Sequence, residues 1–308
     1  MPLLNSSNHF RLAVLSLITA NVIWGAAPPI FKWALADIEP FTLAFIRFSI
    51  AAAIVAPFAY KHLRINREDI AEVFLAGFLG VAVNISFFFL GLKLAPSINA
   101  SIISSAGPVF IMIASFFFLK EKFKMRLIAG SAIGLIGVLI IMLQPLYTSE
   151  PNLDLFGNFL FFLAMIGGIS HALIGRSLMK KYDPLGITFW IFIVGSLCFL
   201  PMVISENLDN TVISSLTINS VVGIIFGAVF SSALAYTLFL RALKYMPAAE
   251  SGVFLYIDPI ITVLVAYPLL GEKPDFFYFL GALFVFAGIY IAEKRIHYHP
   301  IHLLKNKS

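Results

Sequence analysis

The chain has 308 residues, of which 60% are hydrophobic and only 12% charged, and its mean hydropathy is +0.95. A soluble domain carries about 25% charged residues, so the composition is that of an integral membrane protein and excludes a water-soluble enzyme or binding module. The net charge of +5 is no sign of nucleic-acid affinity, because surplus Lys and Arg in a membrane chain set its orientation.

About 20 apolar residues are needed to cross the roughly 30 Å of bilayer hydrocarbon. The sequence predicts ten such spans, at residues 12–32, 40–60, 71–92, 97–119, 127–146, 155–176, 184–204, 218–240, 248–270 and 276–293. The connections are short; only 205–217 leaves room for a sizeable loop, and a soluble domain fits nowhere. Span 1 follows basic residues as a secretory leader does, yet its apolar run is longer than the about 7–15 residues of a leader. It is expected to remain as a span. The single cysteine, Cys198, lies in an apolar run, which excludes an internal disulfide and makes it packing filler.

Charge placement predicts the topology. With a cytoplasmic N-terminus, every Lys and Arg except Lys32, Arg47, Lys93 and Lys273 falls on a cytoplasmic segment, as the positive-inside rule requires. Both termini are expected in the cytoplasm. The tail histidines His297, His299 and His302 have no acid or cysteine joining them, so they read as a solvated tail and not a metal site.

The chain also repeats itself. Leu92-Lys93-Leu94-Ala95-Pro96 aligns with Leu243-Lys244-Tyr245-Met246-Pro247. Continued without a gap, the same register sets Asn99 against Glu250, Gly107-Pro108 against Asp258-Pro259, Lys120-Glu121-Lys122 against Gly271-Glu272-Lys273, and Gly130 and Gly137 against Gly281 and Gly288. A second register pairs Lys32 with Arg176, Pro40 with Pro184 and Pro57 with Pro201. The sequence therefore predicts two five-helix halves, 1–147 and 148–308. Five is odd, so the second half is inverted relative to the first. Inverted repeats place a substrate site near mid-membrane, where the halves meet, and support alternating access.

Span 9 carries Asp258 directly before Pro259 near its middle, and Glu250 near its cytoplasmic end. A mid-bilayer carboxylate is costly unless it faces protein or a wet cavity, which makes it a functional-site candidate. Pro259 removes a backbone donor and crowds the Leu255 carbonyl, and Pro108 marks the matching break in span 4. A broken span with an acid at the break points to a transporter's binding site.

These residues resemble the drug/metabolite transporter superfamily, EamA type. That family carries a Trp-Gly in the first helix of each half, then a Pro and an Arg around the second; here stand Trp24-Gly25, Pro40 and Arg47. Its fourth helix ends in a Pro, an apolar run and Gly-Glu, matched by Asp258-Pro259 through Gly271-Glu272, and by Pro108 through Lys120-Glu121 with Lys replacing Gly. The second half departs from the pattern, with Gly168-Ile169 where the first has Trp24-Gly25 and Ile191 where it has Arg47. Roles for Trp24 and Arg47 are expected only once. The resemblance implies a central cavity lined by helices 1, 3, 4, 6, 8 and 9. It also implies export or exchange of amino acids or other small metabolites across a plasma (inner) membrane.

Six residues are the candidate substrate contacts: Asn21, Trp24, Asn84, His171, Tyr236 and Asp258. Asp258 either carries protons or binds a substrate amine; the alternative is an acid that only locks the helix break. Glu250 shares its broad face and reads as a gate or as an ordinary interfacial acid. Arg47 lies about 10 Å into span 2. The favoured reading has it snorkel outward to Asp37 or Glu39 as an anchor; the other has it hold a substrate carboxylate. His171 shares a stripe with Ala164, Gly167, Gly168 and Gly175, and such small residues let helices approach closely. It faces protein as a proton carrier or a polar tie. Asn21 and Trp24 share a face of span 1, Asn84 falls with Gly77 and Gly80, and Tyr236 with Ser231 and Ala235. Aromatic and amide groups suit a cavity for a zwitterion or heterocycle, and a helix–helix hydrogen bond is the alternative for each. The glycines of spans 5 and 10 predict close packing of those spans, on each other or on a second protomer, leaving monomer and homodimer both open.

The expected function is secondary transport by alternating access, with proton coupling as a further expectation. The partners are a small molecule and the lipid bilayer; no nucleic acid, metal or cofactor is implied. The alternative, a membrane-embedded enzyme acting on a lipid-soluble substrate, wants acids, histidines or metal ligands clustered at an interface, and the intramembrane ionisable groups here are scattered. A channel wants a symmetric pore ring, which the inversion opposes. A nucleotide-driven pump wants G-x-x-x-x-G-K-[ST], which does not occur in the chain.

Overall fold

The computed structural model describes residues 6–107, 109–110, 114, 125–146, 153–206, 216–245 and 251–293, which form helices and their connections with no strand among them. Glu250, Pro108, Glu121 and the three tail histidines lie outside the described residues. The first helix, α1, runs Ser6–Ala34 and α2 runs Pro40–Ala59. Next, α3 (Ile70–Gly77) and α4 (Asn84–Leu94) are joined by a π-helical segment, Phe78–Val83, into one continuous rod. They are followed by α5 (Ser97–Ser104), α6 (Met125–Leu143), α7 (Leu153–Leu178) and α8 (Pro184–Glu206). A second π-helical segment, Phe226–Leu234, joins α9 (Ile218–Ile225) to α10 (Ala235–Tyr245). A tight 3₁₀ turn, Gly252–Tyr256, leads into α11 (Ile257–Leu270), and α12 (Phe276–Glu293) closes the described chain.

Helix starts follow local chemistry. Pro40 and Pro184 open α2 and α8, where a missing N–H costs nothing and the ring already sets φ. Glu206 reaches back from the end of α8 to accept from the Phe41 and Thr42 amides at 3.0 and 2.8 Å, satisfying donors that α2 leaves unpaired. Thr217 Oγ1 accepts from the Ser220 amide and caps α9.

Six stretches among the described residues are long and apolar enough to cross a membrane: His9–Ala34, Pro40–His62, Arg67–Leu94, Asp154–Leu178, Pro184–Glu206 and Ile218–Tyr245. Ala132–Leu146, Phe254–Leu270 and Phe276–Gly288 are shorter apolar helices. Apolar side chains occupy both sides of the helices. Phe31, Phe48, Phe89, Phe192 and Phe199 are buried inside, while Ile218, Leu264, Phe276 and Leu283 point outward and exposed. A helix apolar all round suits a membrane, and the chain is an all-helical membrane protein.

Helix α1 packs against α10 and α11, α7 against α4, α2 against α8, and α6 against α12. The α6–α12 contact depends on backbone approach: a Cβ on Gly137 would stand 2.5 Å from the Gly281 carbonyl oxygen, closer than any side chain permits. The long helices from early and late in the chain thus interleave around a shared centre.

Candidate functional site: a central cavity

Within that centre lies a cavity of about 190 Å³. Its walls include Trp24 and Phe31 from α1, Arg47 from α2, Asn84 at the start of α4, Ser101 and Ser104 from α5, and His171 from α7. Ser231 of the second π segment, Tyr236 of α10, Ser251, and Asp258 of α11 complete the polar part of the lining. A π turn adds a residue and rotates everything after it; Asn84 follows the first π segment directly, and Tyr236 is the second residue after the other. Of the residues singled out from sequence, Trp24, Arg47, Asn84, His171, Tyr236 and Asp258 border the cavity. Asn21 does not: it is buried within α1's packing, where its Nδ2 donates to the Leu17 carbonyl at 2.8 Å.

Asp258 sits where α11 begins, one residue before Pro259, so the proline occupies the first helical turn and the tight turn precedes it. Asp258 is 7% exposed, and its Oδ1 has no hydrogen-bond partner among the described residues. The Thr262 hydroxyl bridges the backbone here, donating toward the Asp258 carbonyl at 2.8 Å and the Gly25 carbonyl at 2.6 Å. A Cβ on Gly25 would stand 3.0 Å from the Asp258 Cα and 2.9 Å from its carbonyl oxygen. Gly25 therefore lets α1 lie directly on the backbone that carries the acid. Its neighbour Trp24 then reaches across the cavity, donating from Nε1 to the Ser231 carbonyl at 3.0 Å.

His171 is 5% exposed, and its ring packs on Tyr236 and Phe239 with centroids 5.2 and 5.9 Å away. Neither ring nitrogen has a hydrogen-bond partner among the described residues, so His171 forms no polar tie between them. Asn84 does tie helices, donating to the Ala164 carbonyl at 2.6 Å.

Arg47 does not snorkel to Asp37 or Glu39. Both acids are engaged elsewhere: Thr217 donates to Asp37 at 2.5 Å, and Lys93 pairs with Glu39 at 2.6 Å. The guanidinium turns inward instead, donating from Nε to Ser232 Oγ at 2.7 Å and from Nη2 to Ser231 Oγ at 3.1 Å. The Phe31 and Phe48 rings flank it, each centroid 4.6 Å from Cζ. Nη1 is left without a partner among the described residues.

Two polar clusters unforeseen from sequence tie the ends of the helices. Lys32 pairs with Glu272 at 2.9 Å and also donates to the Ala95 carbonyl at 2.8 Å. The same carboxylate accepts from the Ser97 amide and hydroxyl at 3.0 and 2.7 Å and from the Ile98 amide at 3.2 Å. One acid thus fastens the ends of α1, α4, α5 and α11. At the other end Asp69 pairs with Lys181 at 2.6 Å and accepts from Tyr182 Oη at 2.5 Å, which holds the Lys181 ammonium above its ordinary pKa. Arg176 there donates to the Leu243 carbonyl. The signal for the first cluster was present: Lys32 and Glu272 are charges at span ends on the side the charge rule leaves poor in cations. No set of three or more His, Cys, Asp or Glu among the described residues could hold a metal.

A partly open, sparsely polar cavity between membrane helices is of a kind that can hold a small solute within the bilayer. The chain belongs to the EamA-like transporter family, whose model matches it twice, over residues 11–143 and 155–293. It is a membrane transporter. An uncharacterized transporter of Archaeoglobus fulgidus is 26% identical over 297 residues, covering 96% of this chain and all of that protein. The uncharacterized transporter YetK of Bacillus subtilis is 27% identical, covering 91% of this chain and 86% of its own length. A solved crystal structure with 18% identity superposes with a TM-score of 0.65, covering 92% of this chain and 97% of that one, and so shares the fold.

Proposed function

We propose that the protein is a secondary transporter that exports or exchanges amino acids or other small metabolites across a plasma (inner) membrane by alternating access. Asp258 couples the movement to protons. The observation that carries this reading is the buried Asp258 carboxyl, bordering the cavity with one oxygen unpartnered. Such an acid can exchange a proton or a substrate amine without breaking any structural bond. The ten spans, the inverted halves 1–147 and 148–308, and the cytoplasmic termini belong to the same proposal. The two separate family matches support the halves, and the distribution of Lys and Arg supports the orientation.

Alternating access needs a closure at each end of the cavity. Lys32–Glu272 is the closure at one end, because it joins α1, α5 and α11, all of which line the cavity. The test is a metabolite panel on proteoliposomes, comparing uptake and counterflow with and without a proton gradient. Accumulation driven by the gradient supports the reading; chemical conversion of a compound without its movement would replace it with the enzyme alternative.

A further inference from the structure

We propose that Arg47 is the charge filter of the cavity, its guanidinium receiving the single carboxylate of the transported compound. The inference rests on the transporter reading and names the substrate class for that same site.

Arg47 is 1% exposed yet borders the cavity. A buried guanidinium in a membrane interior needs an anion or full hydrogen bonding to offset its lost hydration. The structure supplies neither completely. Asp37 and Glu39 are engaged elsewhere, and the flanking Phe31 and Phe48 rings offer cation–π attraction but accept no strong hydrogen bond. Two serine hydroxyls hold Nε and Nη2, which fixes the plane of the fork. Nη1 remains unmatched and shielded from water, the condition under which an unmet donor is most costly. A carboxylate satisfies it with a charge-assisted bond, for which the fork is pre-organised.

The rest of the lining limits that anion to one charge. Arg47 is the only Lys or Arg among the described lining residues, and Asp258 shares the cavity. A phosphate dianion would face one cation and one acid, and is disfavoured. A monocarboxylate is matched, with its body against Phe31 and Phe88. A zwitterion adds an amine that Asp258 can accept.

The test uses the full-length protein in proteoliposomes. The probes are the standard amino acids, the straight-chain acids from acetate to hexanoate, the carboxamide of each, and the corresponding amines. The wild type should move acids and reject their carboxamides. Comparing amino acids with simple acids shows whether the amine is also read. Arg47→Lys should retain the preference with KM raised about tenfold, and Arg47→Gln should lose the acid-over-amide preference by at least about tenfold. A purely structural Arg47 would lower transport of every charge class alike. An acid-to-amide ratio in Arg47→Gln equal to that of the wild type overturns the proposal; if that variant fails to insert, a KM for acids in Arg47→Lys equal to that of the wild type overturns it instead. Wild-type transport of amines or neutral compounds alone overturns the filter and leaves the transporter reading standing. Movement of nothing in any class removes both.

Discussion

Glu272→Gln tests the closure at the Lys32 end. The substitution keeps size and one carbonyl acceptor but removes the charge that Lys32 pairs with at 2.9 Å and that Ser97 and Ile98 address with three hydrogen bonds. Hydrogen bonds to a charged group contribute about 1.5–3 kcal/mol each and neutral ones about 1. Glu272 keeps 13% of its side-chain surface exposed and Lys32 keeps 30%, so solvent weakens part of this. A net loss of about 2 kcal/mol follows, or about 30-fold in the ratio of closed to open at this end. Cys198 is the only cysteine, so a Cys198→Ser background carrying Ser104→Cys places one thiol on the cavity wall. Its labelling by a membrane-impermeant thiol reagent, applied from the Lys32 side, should accelerate up to about 30-fold when Glu272→Gln is added. Exchanging the two charges, Lys32→Glu with Glu272→Lys, should not restore closure, because a lysine there would face the amide-bearing start of α5, where a helix favours an anion. Labelling within about twofold of the parent in Glu272→Gln, or full rescue by the exchange, would refute the closure.

Asp258→Asn should leave the protein folded and abolish pH-dependent transport; unchanged proton-driven flux in reconstituted vesicles would sink the coupling role. Gly25→Ala should lower the melting temperature in detergent, by the equivalent of about 1–3 kcal/mol, because its Cβ meets the Asp258 backbone and nothing flexible can yield; an unchanged melting temperature would contradict the α1–α11 contact. A reporter that is active only outside the cytoplasm should fail at the C-terminus, and activity there would reverse the proposed orientation.

The sequence revealed the membrane class plainly, since a composition this apolar has no other use. The placement of six spans followed from the length of apolar runs, and Asp258 stood out because an acid inside such a run must be explained. Other features were invisible for identifiable reasons. A π turn has no composition of its own, so nothing in residues 78–83 or 226–234 announced the rotation that brings Asn84 and Tyr236 to the cavity. Arg47 was read as an outward anchor because its distance along the span allowed it. The competing claims of Thr217 on Asp37 and Lys93 on Glu39 come from loops and helix ends whose meeting no local pattern encodes. Asn21 shares a face with Trp24 by helical spacing, yet its amide nitrogen is taken up locally by a four-residue step to the Leu17 carbonyl.

The cavity lining carries a regularity that bears on the proposed halves. In the two registers read from the repeat, Trp24 corresponds to Gly168, Ala27 to His171, Ile85 to Tyr236, Phe88 to Phe239, Ser104 to Leu255 and Gly107 to Asp258, and both members of every pair border the cavity. Two related halves wrapped around one axis predict this, and unrelated halves would have no cause to produce it. The pairing also separates scaffold from chemistry. Where both members are apolar or small, as at Phe88 and Phe239, the positions shape the void. Where one member is small and the other is Trp24, His171 or Asp258, a functional group has been added to one half without disturbing the backbone of either. Arg47 stands outside that rule, because the residue opposite it in the same register, Ile191, is large and lies buried away from the cavity. In the proposed two-fold scaffold, one-sided charges would give the solute distinct surroundings at its two ends. A zwitterion or acid bound between them would therefore adopt a single orientation.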